Sequence, residues 1–350
     1  MRKSTFNACA MACGLILVGG GGHAADPERP IRVGMIGLDT SHVITFTRII
    51  NDPDATGDLS DIQIVAAYPG GSPTFPLSRD RVDGFTKQLA ESGIEIVDSI
   101  PELLDRVDVV MLESVDGSQH LEQVVPVFES GKRVFIDKPF AASLIDALAI
   151  YELGQRHSAE YFSSSPKRFS RDLTKLLDGG ALGEITGCDV YGTTQSVPNH
   201  PDLFWYGVHG SEILFTVLGP ECVSVSAQQT EFSEAVTGRW AGGRIGRFRG
   251  IREAGGKTGF GATVFGTERI VHTGVGSDKD GLMVAIARFF KTGDAPVAPD
   301  LTVELFAFME AAEESKRRGG VPVDVDDVLQ TARAAALEKI ARIERSGPQE

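Results

Sequence analysis

Cysteine is scarce in this chain. Four occur in 350 residues, and Cys9 and Cys13 fall in a leader-like opening segment, which leaves Cys188 and Cys222. One disulfide between these two is the most that can form. Neither has metal-ligand spacing, so the sequence gives no metal site. Basic charge is also short: 34 Lys and Arg against 48 Asp and Glu give a formal net charge of -14. A balance this acidic lacks the basic face that nucleic acid and anionic membranes require. The apolar runs are too short for a spanning helix, and no internal repeat, low-complexity tract or acidic tail is present. What is present is the composition of a globular protein, 42% hydrophobic and 23% charged, with length for two domains that each have a core.

Residues 1–25 read as a secretory signal. Arg2 and Lys3 form a short positive start, Phe6 to Val18 is mostly apolar or small, and cleavage is expected after Ala24 or Ala25. The protein is therefore expected to be exported, to the periplasm, with no membrane insertion once the signal is removed.

From 26 to 142 the chain alternates strand and helix signals. Ile31–Ile36, Ile62–Ala67, Glu95–Val97, Val107–Leu112 and Arg133–Ile136 are short apolar runs separated by amphipathic stretches. This alternation predicts an α/β, doubly wound parallel sheet of Rossmann type. From 143 to 320 the pattern changes. Glu160–Ser164, Glu184–Gln195, Val223–Thr230, Ala235–Ala241, Arg244–Ile251, Gly259–Phe265 and Arg269–Thr273 read as strands. They predict an α+β domain with a largely antiparallel open sheet, covered on one face by helices. Residues 321–350 read as a helical extension.

The turn after the first strand lacks two glycines. Gly37-Leu-Asp-Thr-Ser-His42 stands where a dinucleotide fold places G-x-G-x-x-G, with Asp39 at the second glycine and His42 at the third. A carboxylate about 4 Å from a phosphate charge costs roughly 4 kcal/mol at an effective dielectric near 20. Alternatively Asp39, Thr40 or Ser41 caps the following helix, and Asp39 fills the anion site itself or turns aside. The second strand ends in Tyr68-Pro-Gly-Gly-Ser72 in place of the acidic residue that favours NAD. That turn is either a plain surface turn or a set of donors for a 2′-phosphate, with Arg79 and Arg81 near.

Three later segments complete a pattern: Ser114-Val-Asp-Gly-Ser-Gln-His120, Arg133-Val-Phe-Ile-Asp-Lys-Pro-Phe140 and Gly207-Val-His-Gly-Ser-Glu212. In this order they resemble the Gfo/Idh/MocA oxidoreductases, over about Ile31 to Gly320. The resemblance implies NAD or NADP along Gly37, Leu38, Asp39, Ser41 and His42, then Tyr68 and Ser72, Ser114 and His120, and Asp137 with Lys138. It implies that Lys138 lies beside the nicotinamide and the substrate hydroxyl, where a lysine of lowered pKa relays a proton. It implies His209 as acid or base. Asp137 replaces the family's usual glutamate, and Trp205 stands where many members have an aspartate.

Trp205 and Tyr206 either stack on a sugar face or pack in the core. Glu212, one turn after His209, either orients it or faces solvent. Lys167 and Arg168 either hold substrate or form an exposed turn, and Asn199–Asp202 is a candidate rim. Arg244, Arg247, Arg249 and Arg252 read as a solvated or interface face.

The expected activity is NAD(P)-linked oxidation or reduction of a hydroxyl on a sugar, cyclitol or related polyol. Catalysis would use Lys138 and His209, and the substrate would meet Lys138, Arg168, Trp205, Tyr206 and His209. Two alternatives stand beside it: a redox-assisted sugar-cleaving enzyme with a tightly held nucleotide, and a non-catalytic sugar-binding protein without one. The expected partners are a small carbohydrate or polyol and further copies of the chain, joined through the open face of the second sheet.

Overall fold

The computed structural model describes residues 29–195, 197–252 and 259–346, so the expected signal at 1–25 lies outside them. The first sheet holds six parallel strands: β1 (Ile31–Ile36), β2 (Ile62–Tyr68), β3 (Glu95–Ile96), β4 (Val109–Leu112), β5 (Val134–Ile136) and β6 (Tyr161–Ser163). Their order is β3-β2-β1-β4-β5-β6, the dinucleotide-fold order with its reversal between β1 and β4. The strands are apolar on both faces because helices cover both. Val33 and Met35 pack on one side with Val43, Phe46 and Ile50 of the helix Ser41–Ile50. Ile36, Val110 and Leu112 pack on the other with Leu121 and Val124 of the helix His120–Glu129 and Leu148 of the helix Leu144–Arg156.

Two segments read from the sequence as second-domain elements join this first layer. Tyr161–Ser163 pairs with β5 and closes the sheet, because the helix Leu144–Arg156 returns the chain parallel to β5 and all three strand residues are buried. The helix Lys279–Thr292 buries Leu282, Met283, Ile286 and Phe289 in the same cluster as Val33 and Met35.

The second sheet holds β7 (Ile185–Thr193), β8 (Cys222–Gln229), β9 (Ser233–Trp240), β10 (Ile245–Ile251), β11 (Gly261–Gly266), β12 (Ile270–Gly274) and β13 (Val323–Asp324). Its order is β12-β11-β7-β10-β9-β8-β13, antiparallel except for the β7–β10 pair. In β10, Gly246, Phe248 and Gly250 face inward while Ile245, Arg247 and Arg249 are exposed. The helix Gly207–Leu218 lies on the inner face at Gly210, where an added Cβ would stand 2.1 Å from the Phe248 ring. The extension integrates with both domains: β13 pairs with β8, and Val328, Ala332, Ala336 and Ile340 of the helix Val325–Ser346 enter the main core. Cys188 and Cys222 are both buried free thiols, so the possible disulfide is not formed. Among the described residues no helix is long and apolar enough to cross a membrane.

Candidate active site

The loop after β1 keeps the first fingerprint glycine and rebuilds the rest. Gly37 has φ +87°, and a Cβ there would stand 2.5 Å from the Ser114 nitrogen, so only glycine fits between β1 and β4. The helix Ser41–Ile50 is capped by Thr40, whose hydroxyl accepts from the His42 N–H at 3.3 Å. Asp39 does not cap the helix; of the alternatives open to it, it turns aside. It is fully buried and turned inward, accepting from the Val115 N–H at 2.8 Å and from the Ser78 hydroxyl at 2.5 Å. Burial pushes its pKa up, against the pull of these two bonds. The Ser78 hydroxyl in turn accepts from the Ser72 N–H at 2.6 Å. Asp39 thus staples the β2 and β4 loops to the β1 loop.

This staple consumes what a diphosphate would use. The Leu38 N–H donates to the Pro69 carbonyl at 2.7 Å, and the Gly117 N–H donates to His200 Nε2 at 3.2 Å. Ser72 is buried and Arg79 is exposed beside Asp80, so neither is placed for a 2′-phosphate. Phe75 is buried edge-on against Trp205, with ring centroids 5.4 Å apart, and both touch His200. The diphosphate end of a dinucleotide does not fit these loops as they stand. Ser114 and His120 are likewise turned inward. The Ser114 hydroxyl donates to Gln123 at 2.7 Å, and the buried His120 ring lies 2.8 Å from the Ser114 carbonyl and 3.2 Å from that of Phe140.

At the carboxyl ends of β4 and β5 the chain gathers charge. Glu113 follows β4 and Asp137 follows β5; both are buried. His42 Nδ1 lies 2.6 Å from Asp137 Oδ2. Burial works to raise the Asp137 pKa, but the charge and hydrogen bond of His42, with Lys138 beside it, hold it below the usual carboxylate range. Glu113 has no such partner. Burial, and then the charge of Asp137, push its pKa well up. Lys138 and Lys279 are the nearby cations, and burial lowers the pKa of Lys279.

The second domain supplies the facing wall. His209, on the helix Gly207–Leu218, is buried, with Nδ1 2.7 Å from the Ser165 hydroxyl. Burial, and then the charges of Lys138 and Lys167, push its pKa well down, so its imidazole is neutral near pH 7. Glu212 does not touch His209. It accepts from the Ser164 hydroxyl at 2.5 Å, the Ser165 N–H at 2.8 Å and Arg168 Nε at 3.0 Å, and so fixes the turn that orients the histidine. Trp205 is buried and packed with Phe75 and Val115, which makes it a core residue on the site's edge. Lys138 Nζ stands 6.0 Å from its ring centroid, and Tyr206 bridges Trp205 to His209 by edge contacts at 6.0 and 5.8 Å. Lys138, Ser163, Arg168 and Glu212 line one cavity of about 20 Å³, room for a water and not for a polyol. A wider groove of about 730 Å³ lies apart from these groups, lined by Asp202, Gln228, Glu313 and Lys316. Its Lys316 is already paired with Glu313 and Glu234, so the chemistry stays with the first site.

Lys138, Trp205, Tyr206 and His209 are therefore brought together, with Arg168 on the neighbouring cavity and His42 and Asp137 on the other side of Lys138. Tyr68, Ser72, Ser114 and His120 are not part of that group. Sequence reasoning missed Glu113, Ser165 and Ser78. Glu113 carried one signal, a charge directly abutting an apolar strand; the two serines carried none.

Residues 31–164 match the profile of the Gfo/Idh/MocA oxidoreductase family, NAD-binding Rossmann fold, which bears out the resemblance read from the sequence. Inositol 2-dehydrogenase 3 of Saccharopolyspora erythraea is 29% identical over 164 residues, 44% of this chain and 42% of that protein. Inositol 2-dehydrogenase of Gluconacetobacter diazotrophicus is 33% identical over 112 residues, 30% of this chain and 33% of that protein. The chain thus spans less than half the length of these curated relatives. Among solved structures, scyllo-inositol dehydrogenase from Lactobacillus casei with bound NAD(H) and scyllo-inositol superposes with a TM-score of 0.67 at 16% identity, covering 85% of this chain and 100% of that one. An oxidoreductase from Agrobacterium radiobacter in complex with NAD+, L-tartaric acid and magnesium gives 0.69 at 14% identity, covering 85% and 99%. These likenesses establish the two-domain fold.

Proposed function

We propose that this chain, whose residues 31–164 carry the NAD-binding Rossmann domain of the Gfo/Idh/MocA oxidoreductases, oxidises or reduces a hydroxyl-bearing carbon of a cyclitol, sugar or related polyol. The observation that carries this reading is the approach of Lys138, at the carboxyl end of β5, to His209 of the second domain across Trp205 and Tyr206. Ligands of doubly wound sheets sit at this edge. Lys138 holds the substrate hydroxyl and relays its proton; the neutral, Ser165-oriented His209 accepts it. Arg168, fixed by Glu212, offers a planar donor set to a second hydroxyl. The names of the similar inositol dehydrogenases support a cyclitol or its close kin. NAD or NADP supplies a hydride acceptor when bound.

The test is turnover of myo-inositol, scyllo-inositol and glucose by the full chain with NAD and with NADP, read as reduced nicotinamide. Lys138→Ala and His209→Ala are each expected to lower the rate by about 100-fold or more while leaving the circular dichroism unchanged. No turnover with either nucleotide, or turnover indifferent to both substitutions, removes the reading. The inward-bonded Asp39 favours a second one, a polyol-binding protein without nucleotide. Calorimetric polyol binding that no nucleotide alters would support it.

We further propose that the mature protein works in the periplasm and associates with copies of itself through the open face of the second sheet. The signal-like residues 1–25 and the exposed Ile245 and Ile270 support these two statements.

A further inference from the structure

A buried acid that finds no hydrogen-bond donor is an expensive thing for a protein to keep. Glu113 is such a group: it is fully buried, and neither carboxylate oxygen has a partner. Asp137, also buried, has one oxygen on His42 Nδ1 and the other, Oδ1, without a partner. His42, Glu113 and Asp137 each offer one ligand atom, and the three atoms lie within 4.8 Å of one another. Three carboxylate oxygens without donors thus belong to two acids that cluster with one imidazole. A proton can neutralise one acid, but it leaves the remaining oxygens without donors.

We propose that His42, Glu113 and Asp137 form a binding site for one divalent first-row transition ion. An imidazole with two carboxylates is a donor set suited to Zn²⁺, Mn²⁺ or Fe²⁺. Bonds of about 2.0–2.2 Å to nitrogen and oxygen would part His42 from Asp137, now 2.6 Å apart, and bring Glu113 closer to both. The ion replaces the proton between His42 and Asp137, gives Glu113 the partner it lacks, and keeps further positions for water or a substrate oxygen. Two of the three ligands stand where this chain departs from the pattern it resembles. His42 replaces the third fingerprint glycine and Asp137 replaces the usual glutamate, while Glu113 directly follows β4. Two such departures meeting a partnerless buried acid at one point are explained by one ligand. The site holds whether or not the substrate is a polyol.

The experiment uses the full-length mature protein, dialysed against EDTA and then titrated with Mn²⁺ followed by electron paramagnetic resonance, and with Zn²⁺ by calorimetry. One ion per chain at micromolar concentration is expected, with a rise in Tm. Glu113→Gln, His42→Ala and Asp137→Asn should each weaken binding by more than about tenfold, the loss that removing even an outer-shell partner brings. Glu113→Gln is the folding control. The near-isosteric amide should leave the Tm of the metal-free protein close to that of wild type and abolish the metal-dependent rise. Binding that is absent, superstoichiometric only, or equal in wild type and all three variants overturns the site, and none of these results bears on polyol turnover.

Discussion

Two buried acids just past the strand ends, Asp39 and Glu113, differ in their donors. Asp39 has the Val115 N–H and the Ser78 hydroxyl; Glu113 has neither donor nor cation within bonding distance. Hydrogen bonds to a charged group are each worth about 1.5–3 kcal/mol, and orphaning their donors adds to the loss. Asp39→Gly restores the fingerprint glycine and cuts the staple. It should destabilise the protein by about 3 kcal/mol or more in urea unfolding and, by freeing the loop, tighten NAD or NADP binding in calorimetry. An unchanged midpoint would mean that the staple holds nothing; weaker nucleotide binding would mean that Asp39 helps the nucleotide. Ser165 is a positioning residue, since it reaches the chemistry only through His209 Nδ1. Ser165→Ala should lower kcat by about tenfold with KM nearly unchanged. An equal effect on KM would move Ser165 to the substrate.

At the scale of elements, most of the fold was legible because hydrophobic period is local. β1 falls on Ile31–Ile36 as read. What was not legible depends on partners distant in sequence. Tyr161–Ser163 has the period of any short buried strand, and only its pairing with β5 assigns it to the first sheet. Likewise, Lys138 and His209 could be read from a resemblance, whereas Glu113 needed the sheet to bring it beside His42 and Asp137. The same limit hid the segment 69–79: nothing local says that Phe75 ends against Trp205 and His200. That contact closes the loop over the β1 turn. Phe75→Ala should cost about 3–5 kcal/mol, as for other buried phenylalanines, and should raise proteolytic cutting within 69–79. If the stability falls while the cutting pattern is unchanged, Phe75 is packing alone and does not hold the segment shut.

At the scale of the molecule, two proposals concern where the protein works and in what company. Residues 1–25 lack the period of the core, so N-terminal sequencing of exported material should begin at Ala25 or Asp26; Met1 on mature periplasmic protein would remove the signal. Company is a question about the uncovered face of the second sheet. Helices cover its inner face, and the outer face carries Ile245 at 46% and Ile270 at 66% exposure, with Arg247 and Arg249 further along β10. Arg247 lies in register with Asp189 of β7, so opposite charges sit side by side on one patch. A two-fold contact turns such a patch onto itself, apolar to apolar and arginine to aspartate. It also offsets the repulsion between two chains of net charge -14, which salt would screen further. Light scattering after gel filtration should therefore give a mass above that of one chain, persisting in high salt because the anchors are apolar. Ile270→Asp places a charge on the apolar part of the contact and should return the monomer with Tm of the isolated fold little changed, since the residue is exposed within one chain. Wild type that runs as a monomer at all micromolar concentrations, or an Ile270→Asp variant of undiminished mass, takes the interface away from this face.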